Sequence, residues 1–230
     1  MSKRLIGIIG AMDIEVNSLI KSMKHKRTKT VGSIDFVKGK IGKKSVVVAK
    51  CGIGKVFAGI CAQAMILEYK PSVIINTGVA GSLTKGFNVL DVAIASQVVQ
   101  HDMDTSALGD PRGMISGINV VYINSCKEAS EFLKLAAKDI DGSVKEGIIA
   151  SGDKFVADDS EKQSINEQFN AIACEMEGAA IGQACYVNGV PFGILRTISD
   201  GDGAEMDYQT FAPRAAEQSI KIVKKFIDIY

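Results

Sequence analysis

The sequence predicts an α/β fold, a single-domain three-layer sandwich over residues 1–230 around a mixed, largely parallel central sheet. Two observations carry that expectation. Short apolar runs without polar alternation, the pattern of strands buried on both faces, recur along the chain and alternate with stretches of helical periodicity. At 230 residues, 47% apolar and 23% charged, the chain can fill one large core, and no repeat, low-complexity segment or linker divides it.

The first run, Leu5-Ile6-Gly7-Ile8-Ile9-Gly10-Ala11-Met12, is apolar on both faces and ends in a glycine turn. Residues 13–23 then carry Ile14, Leu19, Ile20 and Met23 at helical spacing. Asp13 and Glu15 occupy the first turn, where acids ordinarily compensate the helix dipole. Residues 24–44 are basic around the hairpin-like Ser33-Ile34-Asp35-Phe36-Val37. With little aromatic content to stack bases, they read as a solvated outer face. Residues 45–50 form a second buried strand. Cys51-Gly52-Ile53-Gly54-Lys55 turns it into a helix with Ala58, Ala62, Met65, Ile66 and Tyr69 on one face, ended by Pro71. As a dinucleotide fingerprint this turn is weak, because its third glycine position is Phe57.

Residues 72–76 are the third strand, followed by a loop, Thr77-Gly78-Val79-Ala80-Gly81-Ser82, whose glycines let backbone amides approach a ligand. A fourth strand over 91–99 leads to His101-Asp102-Met103-Asp104, and a fifth over 142–151 leads to Ser151-Gly152-Asp153-Lys154-Phe155-Val156. A helical stretch over 161–169 runs through Ala171-Ile172-Ala173-Cys174 to Glu175-Met176-Glu177 at the mouth of an Ala-rich helix. The buried strand pattern of 190–195 then ends in Arg196, Ser199 and Asp200, where open α/β sheets place their chemistry. Residues 213–230 close the chain as an amphipathic helix with Ala216, Ile220, Val223 and Ile227 inward.

Several function classes are disfavoured. Lys plus Arg total 27 against 26 Asp plus Glu, so no phosphate-backbone partner is expected and a small-molecule ligand fits better. Five scattered cysteines without a Cys-x-x-Cys pair indicate reduced thiols in a cytoplasmic protein. The N-terminal apolar run is broken by Gly7 and Gly10, so it reads as a strand and not a signal peptide, and no run is long enough to span a bilayer. His101 with Asp102 and Asp104 has no second histidine at ligand spacing, so no metal is expected, and no cofactor. A Gly-x-Ser-x-Gly elbow is absent. The carboxylates Glu15, Glu175, Glu177 and Asp200 remain, all near strand-to-helix transitions. A pair of carboxylates is what hydrolysis of a glycosidic bond requires, one as acid and one to activate water.

Six segments in order, Gly10-Ala11-Met12 with Glu15, residues 51–55, residues 76–81, Ser151-Gly152-Asp153 with Phe155, Glu175-Met176-Glu177 and residues 196–200, resemble bacterial 5′-methylthioadenosine/S-adenosylhomocysteine nucleosidases. The resemblance implies a nucleoside-phosphorylase-like fold, cleavage of the adenine N-glycosidic bond by water, and a homodimer. Carried over by residue, Glu15 is the base for water and Asp200, positioned by Ser199, the acid for adenine N7. Glu177 binds the ribose hydroxyls, Met176 packs on the sugar, Phe155 stacks on adenine, and the Val156 backbone reads its edge. Arg196 holds the water and the ribose side. Ile53, Val79, Ala80, Gly81 and Glu175 complete the substrate contacts, Glu175 without a defined role, and Thr105 and Leu108 reach a neighbouring subunit's alkylthio pocket. Val79 departs from the family, many of whose members have Ser there.

Alternatives on the same fold are a purine nucleoside phosphorylase and an aminodeoxyfutalosine nucleosidase; a non-catalytic nucleoside sensor is a third. A phosphorylase should offer arginines for its anion, where this chain has Glu15 and Asn76.

Overall fold

The computed structural model describes residues 4–140, 142–200 and 208–230. Among the described residues ten strands form one sheet: β1 Leu5–Gly10, β2 Lys24–Val31, β3 Ile34–Ile41, β4 Lys44–Lys50, β5 Val73–Ser82, β6 Val92–Gln100, β7 Ile123–Asn124, β8 Val144–Ser151, β9 Ala171–Glu175 and β10 Phe192–Asp200. Six helices accompany them: α1 Asp13–Ser22, α2 Lys55–Tyr69, α3 Lys127–Ala136, α4 Asp159–Phe169, α5 Gly178–Val187 and α6 Tyr208–Ile229. The sheet order is β10-β6-β8-β9-β5-β1-β4-β3-β2, and a further β10–β5 pairing closes the first five into a ring.

The sheet is mixed. Parallel ladders join β1 to β4 and β5, β5 to β10, and β8 to β6 and β9. Antiparallel ladders build the β2-β3-β4 meander and join β10 to β6, β9 to β5 and β7 to β6. The interior strands are apolar on both faces because helices cover both. Ala58, Met65, Ile181 and Cys185 of α2 and α5 pack on one side with Ile9, Ile74 and Ile194. Val16, Leu133, Val223 and Phe226 of α1, α3 and α6 pack on the other with Ile8, Val48 and Ile75. That is the three-layer arrangement read from the alternation.

The differences from the sequence reading lie at element ends and in one helix. Residues 77–82 belong to β5 and are not a loop: Gly78, Val79 and Ala80 sit in register with Arg196, Thr197 and Ile198 of β10, and Gly81 and Ser82 with Cys174 and Ala173 of β9. Glycines that loosen a strand in isolation are held here between two neighbours. β10 likewise runs to Asp200, with a register shift between Ile198 and Asp200. The basic segment extends its hairpin into β2 and β3, and β2 is exposed at nearly every position, which is the solvated face expected. Helix α3 has no counterpart in the sequence reading although Ala129, Leu133 and Ala136 form its buried face. Pro213 lies inside α6 and not at its start, where it removes one intrahelical hydrogen bond. Among the described residues no helix is long and apolar enough to cross a membrane.

Candidate active site

Twelve of the fifteen residues singled out in the sequence line one cavity of about 400 Å3 at the carboxyl ends of β5, β9 and β10. Glu15, Ile53, Val79, Ala80, Gly81 and Phe155 contribute to its wall, with Val156, Glu175, Met176, Glu177, Ser199 and Asp200. Arg196 lies beside them, fully buried. Thr105 and Leu108 do not line it; they sit at a 3-10 turn, Ser106–Leu108, where Leu108 is 84% exposed.

Glu15 is buried in the first turn of α1, where its side chain caps the helix and also faces the cavity. Oε2 accepts the amides of Ala11 at 2.6 Å and Met12 at 2.9 Å, and Oε1 accepts that of Val79 at 3.2 Å. Burial pushes its carboxyl above the ordinary value, against the opposing pull of Arg196 and the three amides. The anchorage depends on a glycine, since a Cβ at Gly78 would collide with Glu15 Oε1 and Arg196 Nη1.

Glu175 and Arg196 form a buried ion pair at the mouth of α5. Glu175 accepts from Arg196 Nε at 3.1 Å and from Nη2, from Ser151 Oγ, from the Glu177 amide at 3.1 Å and from the Gly178 amide at 2.8 Å. Arg196 Nη2 also donates to Asn76 Oδ1 at 2.6 Å and stands 3.6 Å from Glu177 Oε2. Burial would lower the Arg196 pKa, but Glu175, Glu177 and Glu15 outweigh it and hold the guanidinium charged.

Glu177 is the N-cap residue of α5, and its Oε1 accepts the Gly54 amide at 2.9 Å. Gly54 has φ +99°, a conformation open to glycine, which lets the amide face the carboxylate. Burial, then the neighbouring Glu175, pushes Glu177 up to about 7, opposed by Arg196 and the Gly54 amide.

Asp200 ends β10. Its Oδ1 accepts from Ser199 Oγ at 3.1 Å and its Oδ2 from Lys162 Nζ at 2.9 Å. The carboxylate lies over Gly81, where a Cβ would come within 2.9 Å of Oδ2. Glu15 and Asp200 are thus fixed against Val79 and Gly81, two residues apart along β5. At the usual strand rise those anchor points are about 7 Å apart.

The profile of the phosphorylase superfamily matches residues 5–228. A 5′-methylthioadenosine/S-adenosylhomocysteine nucleosidase from Shewanella halifaxensis is 38% identical over 221 residues, 95% of this chain and 96% of that protein. The chain belongs to this nucleosidase family within the phosphorylase superfamily. A nucleosidase of the same name from Neisseria meningitidis, solved in complex with methylthio-immucillin-A, is 33% identical and superposes with a TM-score of 0.93 over 99% of this chain and all of that one. The futalosine hydrolase of Helicobacter pylori is 34% identical, with a TM-score of 0.92 over 99% of each chain.

In this member of the nucleosidase family the structure adds residues that the sequence reading left without a task. Asn76 and Ser151 hold the Arg196–Glu175 pair, and Ser151 Oγ also accepts the Ala179 amide at 2.7 Å. Both stand in segments already quoted for the resemblance, and their polar side chains within apolar runs are the signal. Lys154 and Cys174 line the cavity as well. Lys162 carried no signal, since a lysine on a helix is ordinarily a solvated one.

Proposed function

We propose that this chain hydrolyses the adenine N-glycosidic bond of 5′-methylthioadenosine and S-adenosylhomocysteine, releasing adenine and the 5-thio-substituted ribose, and that it accepts 5′-deoxyadenosine too. The observation that carries the reading is one cavity lined by both Glu15 and Asp200, each fixed to β5, in a chain of this nucleosidase family.

Cleavage moves the electrons of the C1′–N9 bond onto the purine and leaves positive charge on the sugar. Asp200 gives a proton to N7, which neutralises the departing base. Glu15 takes a proton from the water that attacks C1′; a carboxylate held by three amides is fixed in position for that transfer. Glu177 accepts from the ribose hydroxyls, Met176 packs on the sugar, Phe155 stacks on adenine and the Val156 backbone meets its edge. Glu175 acts indirectly, since its oxygens are engaged by protein donors that lock Arg196 beside Glu15 and Glu177.

Hydrolysis is favoured over phosphorolysis because the cations at the cavity are committed. Arg196 is paired with Glu175, Lys154 with Glu161 and Lys162 with Asp200. The Glu15 carboxylate also repels phosphate from the place an attacking anion would take. The deciding experiment measures adenine release from both nucleosides in phosphate-free buffer. Release with free thioribose is expected. Release only on adding phosphate, or binding without release, overturns the reading.

The reading includes a homodimer. An exposed apolar face, with Val56 at 71%, Phe57, Ile60 and Leu67 of α2, supports a second copy packed against it, with Thr105 and Leu108 reaching that copy's site. Light scattering is expected to give twice the chain mass; a fully active monomer is the contrary result. The five unpaired cysteines, four of them buried, support a reducing compartment, the cytoplasm.

A further inference from the structure

The ion pair between Lys162 and Asp200 sits at the wall of the candidate site. Lys162 lies in the second turn of α4, and its Nζ donates to Asp200 Oδ2 at 2.9 Å. The two side chains are only 14% and 15% exposed. Asp200 faces the nucleoside cavity, whereas Lys162 also lines a neighbouring polar cavity with Lys85, Asp159 and Glu167, so the pair forms part of the wall between them.

Among the described residues, the other groups around Asp200 leave Lys162 as its cation. From α4, Glu161 is taken by Lys154 at 2.6 Å. From β9, Cys174 is a buried thiol pushed up to about 12 by burial and then by Asp200. From β5 Gly81 lies against Asp200, and Arg196 of β10 is held by Glu175. Ser199 Oγ lies 3.1 Å from Asp200 Oδ1 and 3.3 Å from the Ala80 carbonyl, so its proton can turn from one to the other.

We propose that Lys162 is a positioning residue for Asp200: it fixes Oδ2 so that Oδ1 is the edge that carries the proton, and it stabilises the carboxylate left when that proton has gone to the purine. The step balances within the site. The Oδ1–H bond breaks as the N7–H bond forms, the electrons of the O–H bond stay on Asp200, and Lys162 keeps its three protons throughout. Ser199 donates to Ala80 while Oδ1 is protonated and to Oδ1 once it is not. The proposal rests on the reading of Asp200 as the acid.

The test compares Lys162→Met, Lys162→Arg and Asp200→Asn for adenine release from 5′-methylthioadenosine. Lys162→Met is expected to lower kcat about tenfold, less than the ~10²-fold or more that removal of a proton donor costs, with a smaller change in KM. Lys162→Arg, which keeps a cation at that position, is expected to restore kcat. A riboside with a nitrophenolate leaving group, which departs without a proton, is expected to be cleaved equally by wild type and Lys162→Met. Unchanged kcat in Lys162→Met, or equal loss on both substrates, overturns the proposal while Asp200→Asn remains inactive. An active Asp200→Asn overturns the reading of Asp200 itself.

Discussion

Glu15 Oε1 accepts the amide of Val79, a bond made by the backbone and therefore indifferent to the side chain at that position. The resemblance read from the sequence implies a serine at position 79 in many members of the family. The anchorage of the carboxylate survives that departure.

Val79→Ser is accordingly expected to change kcat by less than about tenfold, the most that one neutral hydrogen bond worth about 1 kcal/mol can supply. Glu15→Gln keeps the size of the side chain but turns an NH2 donor toward at least one of the amides and loses the proton acceptor, and is expected to cost about 10²- to 10⁴-fold. Steady-state adenine release from both variants checks the contrast. A rise well beyond tenfold in Val79→Ser would place the hydroxyl in the chemistry.

Gly78→Ala is expected to inactivate without unfolding. Its Cβ would press on Glu15 Oε1 and Arg196 Nη1, groups that cannot retreat because each is held by other partners. Displacement of a reacting group by about 1 Å costs on the order of 10² in rate. Circular dichroism alongside kcat separates this from misfolding; a folded variant with normal kcat would show that the carboxylate has room the geometry denies.

The sheet and both helical layers were legible because buried strands and amphipathic helices leave periodic apolar patterns. The end of β5 was not, since Gly78 and Gly81 weaken the strand pattern locally and only pairing with β9 and β10 restores it. Those glycines serve the site: each leaves space for a carboxylate, Glu15 at one and Asp200 at the other. Glu15 was ambiguous for a related reason, because one side chain both caps α1 and faces the cavity. Glu175 could be located from sequence but not given a task, since its task consists of contacts with Ser151 and Arg196, 24 and 21 residues away. Lys162 was invisible, its partner lying 38 residues on.

Glu175→Gln removes one member of a fully buried pair and leaves Arg196 under-compensated. Breaking such a pair costs about 3–5 kcal/mol, far more than a surface bridge. Urea unfolding at neutral pH is expected to show a midpoint lowered accordingly, together with loss of activity as Arg196 is released. An unchanged midpoint would mean that Asn76 and Glu177 suffice to hold the guanidinium.

The cysteines give a chemical check on packing. Cys61, Cys174 and Cys185 are buried, and burial pushes each thiol up to about 12, with Cys51 higher still. Thiol-directed reagents require the thiolate. Labelling of the native protein is therefore expected first at Cys126, which is only half-buried, and at the others after unfolding; rapid native labelling of Cys174 would argue against its enclosure.

In its proposed role Glu177 links folding and binding to the same proton. Burial raises its carboxyl from 4.5 to about 7, so between those values the folded protein keeps a proton that the unfolded chain has lost. The folded state binds more protons there, and stability falls as pH rises through that window, the contribution being complete below it and gone above it. Glu177→Gln cannot titrate. Relative to that variant, the wild type is expected to lose urea resistance as pH rises from 4.5 to about 7, with the difference constant above. An ionised carboxylate accepts from hydroxyls more strongly than a neutral carboxyl, so in the role proposed for Glu177 5′-methylthioadenosine binding to the wild type is expected to tighten over the same range, while that of the variant stays weak. A wild-type stability curve parallel to that of Glu177→Gln across the window would show that the Arg196 charge offsets burial and keeps this carboxylate ionised in the folded protein.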